Sequence, residues 1–123
     1  MHRDIGWKNL SKIGREDKWQ IVNFNHACHC PSDSPYNGLA YTAHAPEIFN
    51  RDGTHDKSVD IWSVGYLIKT SSQDKRLLEY SEKLMADNPK ERPTAKEAYT
   101  WLWDEYENLL RQDFSRENSM DDE

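Results

Sequence analysis

His55–Thr70 reads HDKSVDIWSVGYLIKT. Ile61, Trp62, Val64, Tyr66, Leu67 and Ile68 leave this stretch almost no polar face. A helix that is apolar nearly all round belongs in an interior rather than on a surface. Asp56 or Ser58 can cap its first turn by accepting from otherwise unpaired N–H groups. Inside the run stands one carboxylate, Asp60. Burying an unpaired carboxylate is costly, so partners are expected for it, and backbone N–H groups from elsewhere in the chain suit it best. The simpler reading is that Asp60 only complements the positive end of the helix dipole.

The chain has 123 residues, enough for one small domain with a core of its own. Hydrophobic residues make up 36% and charged residues 31%, so the core must be concentrated in a few segments, with five tryptophans and six tyrosines supplying much of it. The net charge of −6 argues against a nucleic-acid-binding face, which needs a clustered basic surface. The two cysteines, Cys28 and Cys30, are too close to build a disulfide framework, and an intracellular, reducing compartment is expected. The sequence contains no apolar run long enough to span a bilayer, so no membrane segment is expected.

Outward from the central helix, Asn9–Ile13 and Trp19–Phe24 read as two short strands joined by a polar connection, a hairpin. Residues 25–43 carry loop chemistry, with Pro31, Pro35 and Gly38. Ala45-Pro46-Glu47 opens a helical turn, since proline is tolerated in a first turn. Leu77, Leu78, Ser81, Leu84 and Met85 recur at helical spacing, which places an amphipathic helix over 75–86. Thr94 and Glu97 form a capping box that opens a last helix ending near Leu110. Residues 111–123 hold five acids against two arginines and are expected to be a disordered acidic tail to a folded domain of residues 1–110.

Five motifs, in order, resemble the C-terminal lobe of the eukaryotic protein kinases. His2-Arg3-Asp4 followed by Asn9 is similar to the catalytic loop H-R-D-x-x-x-x-N. Val22-Asn23-Phe24-Asn25 stands where the metal-binding D-F-G belongs. Ala45-Pro46-Glu47 resembles A-P-E, Val59–Gly65 the buried helix of that lobe, and Asn88–Thr94 its late arginine motif. The wording of HRDIGWKN, HAPEI and VDIWSVGYLI also resembles the kinase-like domains of Crinkler-type effectors and their fungal relatives. The resemblance covers most of residues 2–110 and implies a mainly helical fold with a small hairpin at its cleft. Structural roles follow from it: Asp60 holds the His2-Arg3 turn, and Glu47 pairs with Arg92, an arrangement suited to bidentate geometry.

The same resemblance implies chemistry. Asp4 would accept a substrate hydroxyl's proton, Lys8 would stand beside it, and Asn9 would hold a magnesium ion on ATP. Two departures count against that activity. Asn23 replaces the aspartate that grips magnesium, and a neutral amide is a poor substitute for a hard anionic ligand. The chain also opens at the catalytic-loop motif, with no glycine-rich loop and no V-A-I-K lysine, so the resemblance extends to a C-lobe without its N-lobe. His26, Cys28, His29 and Cys30 are possible zinc ligands, but their spacing is too tight for separated ligand pairs and no zinc site is expected. Ser32, Ser34, Tyr36, Tyr41 and Thr42 lie where kinases carry the activation segment, and a phosphate there could pair with Arg3.

The function expected is therefore a catalytically inert, pseudokinase-like module that docks a protein partner or a second copy of itself. The alternatives are an ATP-dependent protein kinase, acting on serine, threonine or tyrosine, whose N-lobe is missing from this chain, and a non-functional relic of gene duplication.

Overall fold

The computed structural model describes residues 1–121 apart from Ser34, Asn37 and Asp52, and leaves the side chains of Met120 and Asp121 undescribed. The chain divides into two compact units, Met1–Arg92 and Pro93–Glu123. The class is mainly helical with one two-stranded antiparallel hairpin. Among the described residues no helix is long and apolar enough to cross a membrane.

In the first unit, β1 (Leu10–Lys12) pairs antiparallel with β2 (Trp19–Ile21), with Leu10 opposite Ile21 and Lys12 opposite Trp19. The connection closes through Ile13 N–H to the Lys18 carbonyl at 2.8 Å. Gly14 takes φ +60° there, a conformation that costs glycine nothing. Pro46–Phe49 forms a single 3-10 turn.

Helix α1 spans Ser58–Ser71 and α2 spans Lys75–Leu84. Asp56 caps α1 from two residues before it, its Oδ1 accepting from the Ser58 N–H at 2.9 Å and the Ser58 hydroxyl at 2.7 Å. Asp74 caps α2 by accepting from Leu77 N–H at 3.0 Å. The core gathers Leu39, Ala45, Ile48, Val59 and Trp62. The two helices meet at Gly65, where an added Cβ would lie 2.8 Å from Leu84 Cβ and 3.0 Å from the Ser81 carbonyl.

Helix α1 is less enclosed than its composition suggests. Val59, Trp62, Ser63 and Gly65 are buried, whereas Ile61, Val64, Tyr66, Leu67 and Ile68 are only half-buried. Among the described residues α2 packs along α1, and Leu39, Ala45 and Ile48 close on Val59 and Trp62 near its start.

The second unit is helix α3, Ala95–Asp121. The Thr94 hydroxyl caps it, accepting from Glu97 N–H at 3.2 Å and reaching the Glu97 carboxylate at 3.0 Å. The helix does not stop near Leu110. After Pro93 the sequence holds neither proline nor glycine, and residues 107–117 are rich in good helix formers, so 111–121 continue the same helix. Asp122 and Glu123, the end of the expected tail, lie outside the described residues.

Candidate functional site

The site is assembled around a turn held from a distance. Asp60 Oδ2 accepts from His2 N–H at 2.7 Å and Oδ1 from Arg3 N–H at 2.8 Å. Arg3 adopts φ +71°, a left-handed conformation that an arginine takes only when its surroundings impose it. The two charge-assisted bonds from Asp60 are such an imposition. His2 completes the turn: its Nδ1 accepts from Asp4 N–H at 3.1 Å and its Nε2 faces the Val22 carbonyl at 3.1 Å. Those partners place the ring proton on Nε2.

Asp4 is thereby presented, 2% exposed, at the base of a cavity of about 360 Å³ lined among others by Trp7, Lys8, His44, Tyr66 and Leu67. Its carboxylate is crowded with donors. His44 Nε2 lies 2.8 Å from Oδ1. Asn9 Nδ2 donates to Oδ2 at 3.0 Å, and Lys8 Nζ lies 3.4 Å from the same oxygen. Burial raises the carboxyl's pKa, but the His44 hydrogen bond, the Lys8 charge and the Asn9 amide together outweigh it and hold the group below its ordinary value of 3.8. The other nitrogen of His44 faces the Ala40 carbonyl at 2.8 Å. Both ring nitrogens of His44 therefore face oxygen atoms of the chain, which fixes the plane of the ring beside Asp4.

A second layer lies behind Asp4. His26 Nε2 is 3.9 Å from Asp4 Oδ2, and its Nδ1 is 2.6 Å from the Tyr36 hydroxyl. The Arg3 guanidinium sits 4.3 Å from the centre of the Tyr36 ring and donates through Nε to the His26 carbonyl at 2.6 Å. Its Nη1 lies 3.4 Å from His55 Nε2. Burial, with the Arg3 charge beside it, lowers the His55 pKa from the usual 6.5, so the ring is an acceptor for Arg3.

The donor set suits a magnesium ion poorly. Asn23 Nδ2 donates to Asn9 Oδ1 at 3.3 Å, and Asn23 Oδ1 accepts from Asn25 N–H at 3.3 Å. Both amide oxygens are thus engaged within the chain, and the adjoining carboxylate, Asp4, already faces His44, Asn9 and Lys8. A hard divalent cation takes charged oxygen ligands by preference. Among the described residues no group of three or more histidine, cysteine, aspartate or glutamate side chains is arranged to hold a metal. The cysteine and histidine cluster is dispersed: His26 joins the Asp4 network, Cys30 Sγ accepts from Lys57 N–H at 3.3 Å, and Cys28 and His29 line a shallow hollow with Phe24.

Glu47 and Arg92 meet through both guanidinium Nη atoms, with Nη2 3.0 Å from Oε2. Arg92 also donates to the carbonyls of Ala86 at 2.9 Å and Ser58 at 3.1 Å, and its side chain is wholly buried. Three segments distant in sequence are tied together by one side chain. Of the activation-segment candidates, Tyr36 lies against Arg3, Ser32 forms a backbone bridge with His55, and Tyr41 and Thr42 are exposed. Ser34 lies outside the described residues.

His44 is the site residue that sequence reasoning missed. A histidine between two alanines, Ala43 and Ala45, just ahead of Pro46-Glu47, was its signal.

No protein-family model matches the chain. Crinkler effector protein 8 of Phytophthora infestans is 39% identical to it over 110 residues, which cover 83% of this chain. The match spans 18% of that protein's length.

Proposed function

We propose that this chain is a pseudokinase-like binding module of an effector-like protein, with the frame of a kinase C-lobe and no phosphoryl transfer of its own. The observation that carries the reading is the Asn9–Asn23 amide pair beside Asp4. The kinase resemblance puts an anionic metal ligand at position 23, and this chain sets a neutral amide there, hydrogen-bonded to the other expected ligand. Asp4 itself is committed to His44, Asn9 and Lys8, so its lone pairs are directed to donors within the chain. The similarity to Crinkler effector protein 8 supports placing the module in an effector-like protein. Its service there is to offer a folded surface to a protein partner.

A second reading keeps phosphoryl transfer, with the rest of the nucleotide site supplied from outside these residues. Asp4 and Lys8 line one cavity, and Asn9 donates to Asp4 from behind it, an arrangement that favours this reading. Incubation of the purified chain with Mg-ATP separates the two. The expected result is no ATP turnover and no magnesium-dependent rise in melting temperature. Asn23→Asp, which restores an anionic oxygen, is expected to create such a rise. Magnesium-dependent turnover abolished by Asp4→Ala would overturn the first reading.

A further inference from the structure

Helix α3 carries a stripe that the Asp4 site does not involve. Tyr99, Trp103, Tyr106, Leu110 and Phe114 follow one another at steps of four, three, four and four residues, which aligns them on one side of the helix. They are 67%, 49%, 53%, 51% and 66% exposed. The stripe is about 22 Å long at the helical rise of about 1.5 Å per residue. Its aromatic part is ordered by its own contacts. Tyr99 and Trp103 stack with ring centres 6.3 Å apart, Trp103 and Tyr106 are 5.8 Å apart, and Trp103 Nε1 donates to Glu107 at 3.0 Å.

Charge says what would cover it. Residues 1–92 hold thirteen acids and thirteen lysines or arginines, whereas residues 93–123 hold nine acids against Lys96, Arg111 and Arg116. The whole net charge of −6 therefore resides in the segment that bears the stripe. Helical spacing sets Asp113 and Glu117 along it, and Glu107 at its margin, where Arg111 lies 4.0 Å from one of its oxygens. A second copy would set like charge against like, which costs association energy and slows encounter. A cationic surface gains twice, from the carboxylates at the margins and from guanidinium or ammonium groups over the faces of Trp103, Tyr99 and Tyr106.

We infer that this aromatic stripe docks a basic amphipathic protein segment, with leucine-like side chains seated among the rings and arginines on the flanking carboxylates. Tyrosine and tryptophan are the residues on which such interfaces concentrate their binding energy.

The test is a titration of the full chain with three labelled synthetic helical peptides, read by fluorescence anisotropy. One has a leucine face flanked by arginines, one has the same leucine face flanked by glutamates, and one has the arginine peptide's composition with its apolar face scrambled. Binding of the first alone is expected. It should weaken by about ten-fold or more in Trp103→Ala. It should also weaken in the triple variant Glu107→Gln, Asp113→Asn, Glu117→Gln, and with added salt. All substituted positions are on a helix face open to solvent, and retained helicity by circular dichroism confirms an intact fold. Equal binding of the glutamate or scrambled peptide overturns the inference, as does no binding of any. A concentration-dependent dimer in sedimentation that Trp103→Ala abolishes would assign the stripe to a second copy instead and equally overturn it.

Discussion

Asp60 holds the N–H of Arg3 at 2.8 Å while Arg3 stands at φ +71°, so a residue in an unfavourable backbone conformation is secured by a carboxylate 57 residues away. The same carboxylate holds His2. Removing it leaves two backbone donors without partners and releases the strain. Asp60→Ala is expected to cost roughly 2–4 kcal/mol of folding stability in urea titration. Asp60→Asn keeps one acceptor oxygen but turns an amide donor toward the other N–H, so most of the same loss is expected. Unchanged midpoints in both variants would show that the turn is held by something else.

Arg92 and Glu47 predict an asymmetry. Glu47→Ala strands a fully buried guanidinium, and the loss of one partner of a buried pair costs about 3–5 kcal/mol. Replacement of both residues by apolar side chains of similar volume should cost less than the sum of the two single changes. Arg92→Lys retains charge but cannot reach Glu47, Ala86 and Ser58 together, so it should behave as a loss. Additive single and double effects in a mutant cycle would contradict the pairing.

At Gly65 two effects oppose each other. Alanine improves helix propensity by about 1 kcal/mol. Its methyl would lie 2.8 Å from Leu84 Cβ and 3.0 Å from the Ser81 carbonyl, neither of which can rotate away. Overpacking of this kind costs about 1–3 kcal/mol, so Gly65→Ala is expected to lower the denaturation midpoint despite its better propensity. A raised midpoint would mean that α1 and α2 are not in close contact there.

Stability should fall in two stages on acidification. The His55 imidazole binds its proton less readily when folded than its usual value of 6.5 allows. The unfolded state therefore takes up more protons below that pH, and the neutral ring's contribution, complete above 6.5, is lost as pH drops. The Asp4 carboxyl is held below 3.8, so its contribution is complete above that value and disappears only in stronger acid. His55→Gln is expected to flatten the first stage and Asp4→Asn to reduce the second, which Asp56, held below 3.8 by the Ser58 backbone and hydroxyl donors, shares. A pH–stability curve unaltered by His55→Gln would remove the ring from this account.

Local chemistry made much of the fold legible. The hairpin shows as two short runs around a polar connection, helices α1 and α2 show through their apolar residues, and Asp56 marks the start of α1, whereas the Asp74 cap of α2 emerged only from the structure. Other features depend on distances that a sequence does not contain. His44 meets Asp4 across 40 residues, and only the folded chain shows that its second nitrogen also faces an acceptor. The half-exposure of α1 is likewise invisible, because an apolar face reads the same whether or not a neighbour covers it. The charges of 111–121 suggest a solvated tail by composition, whereas an uninterrupted helix can carry them on its outer faces.

One imidazole bridges the end of the hairpin and the residue at the cavity floor. His2 faces the Val22 carbonyl with one nitrogen and accepts from Asp4 N–H with the other, so the residue that follows β2 is linked to Asp4 through a rigid ring of fixed length. The end of the mostly exposed hairpin and the buried Asp4 backbone thus share one anchor, and the separation between them is set by the width of an imidazole.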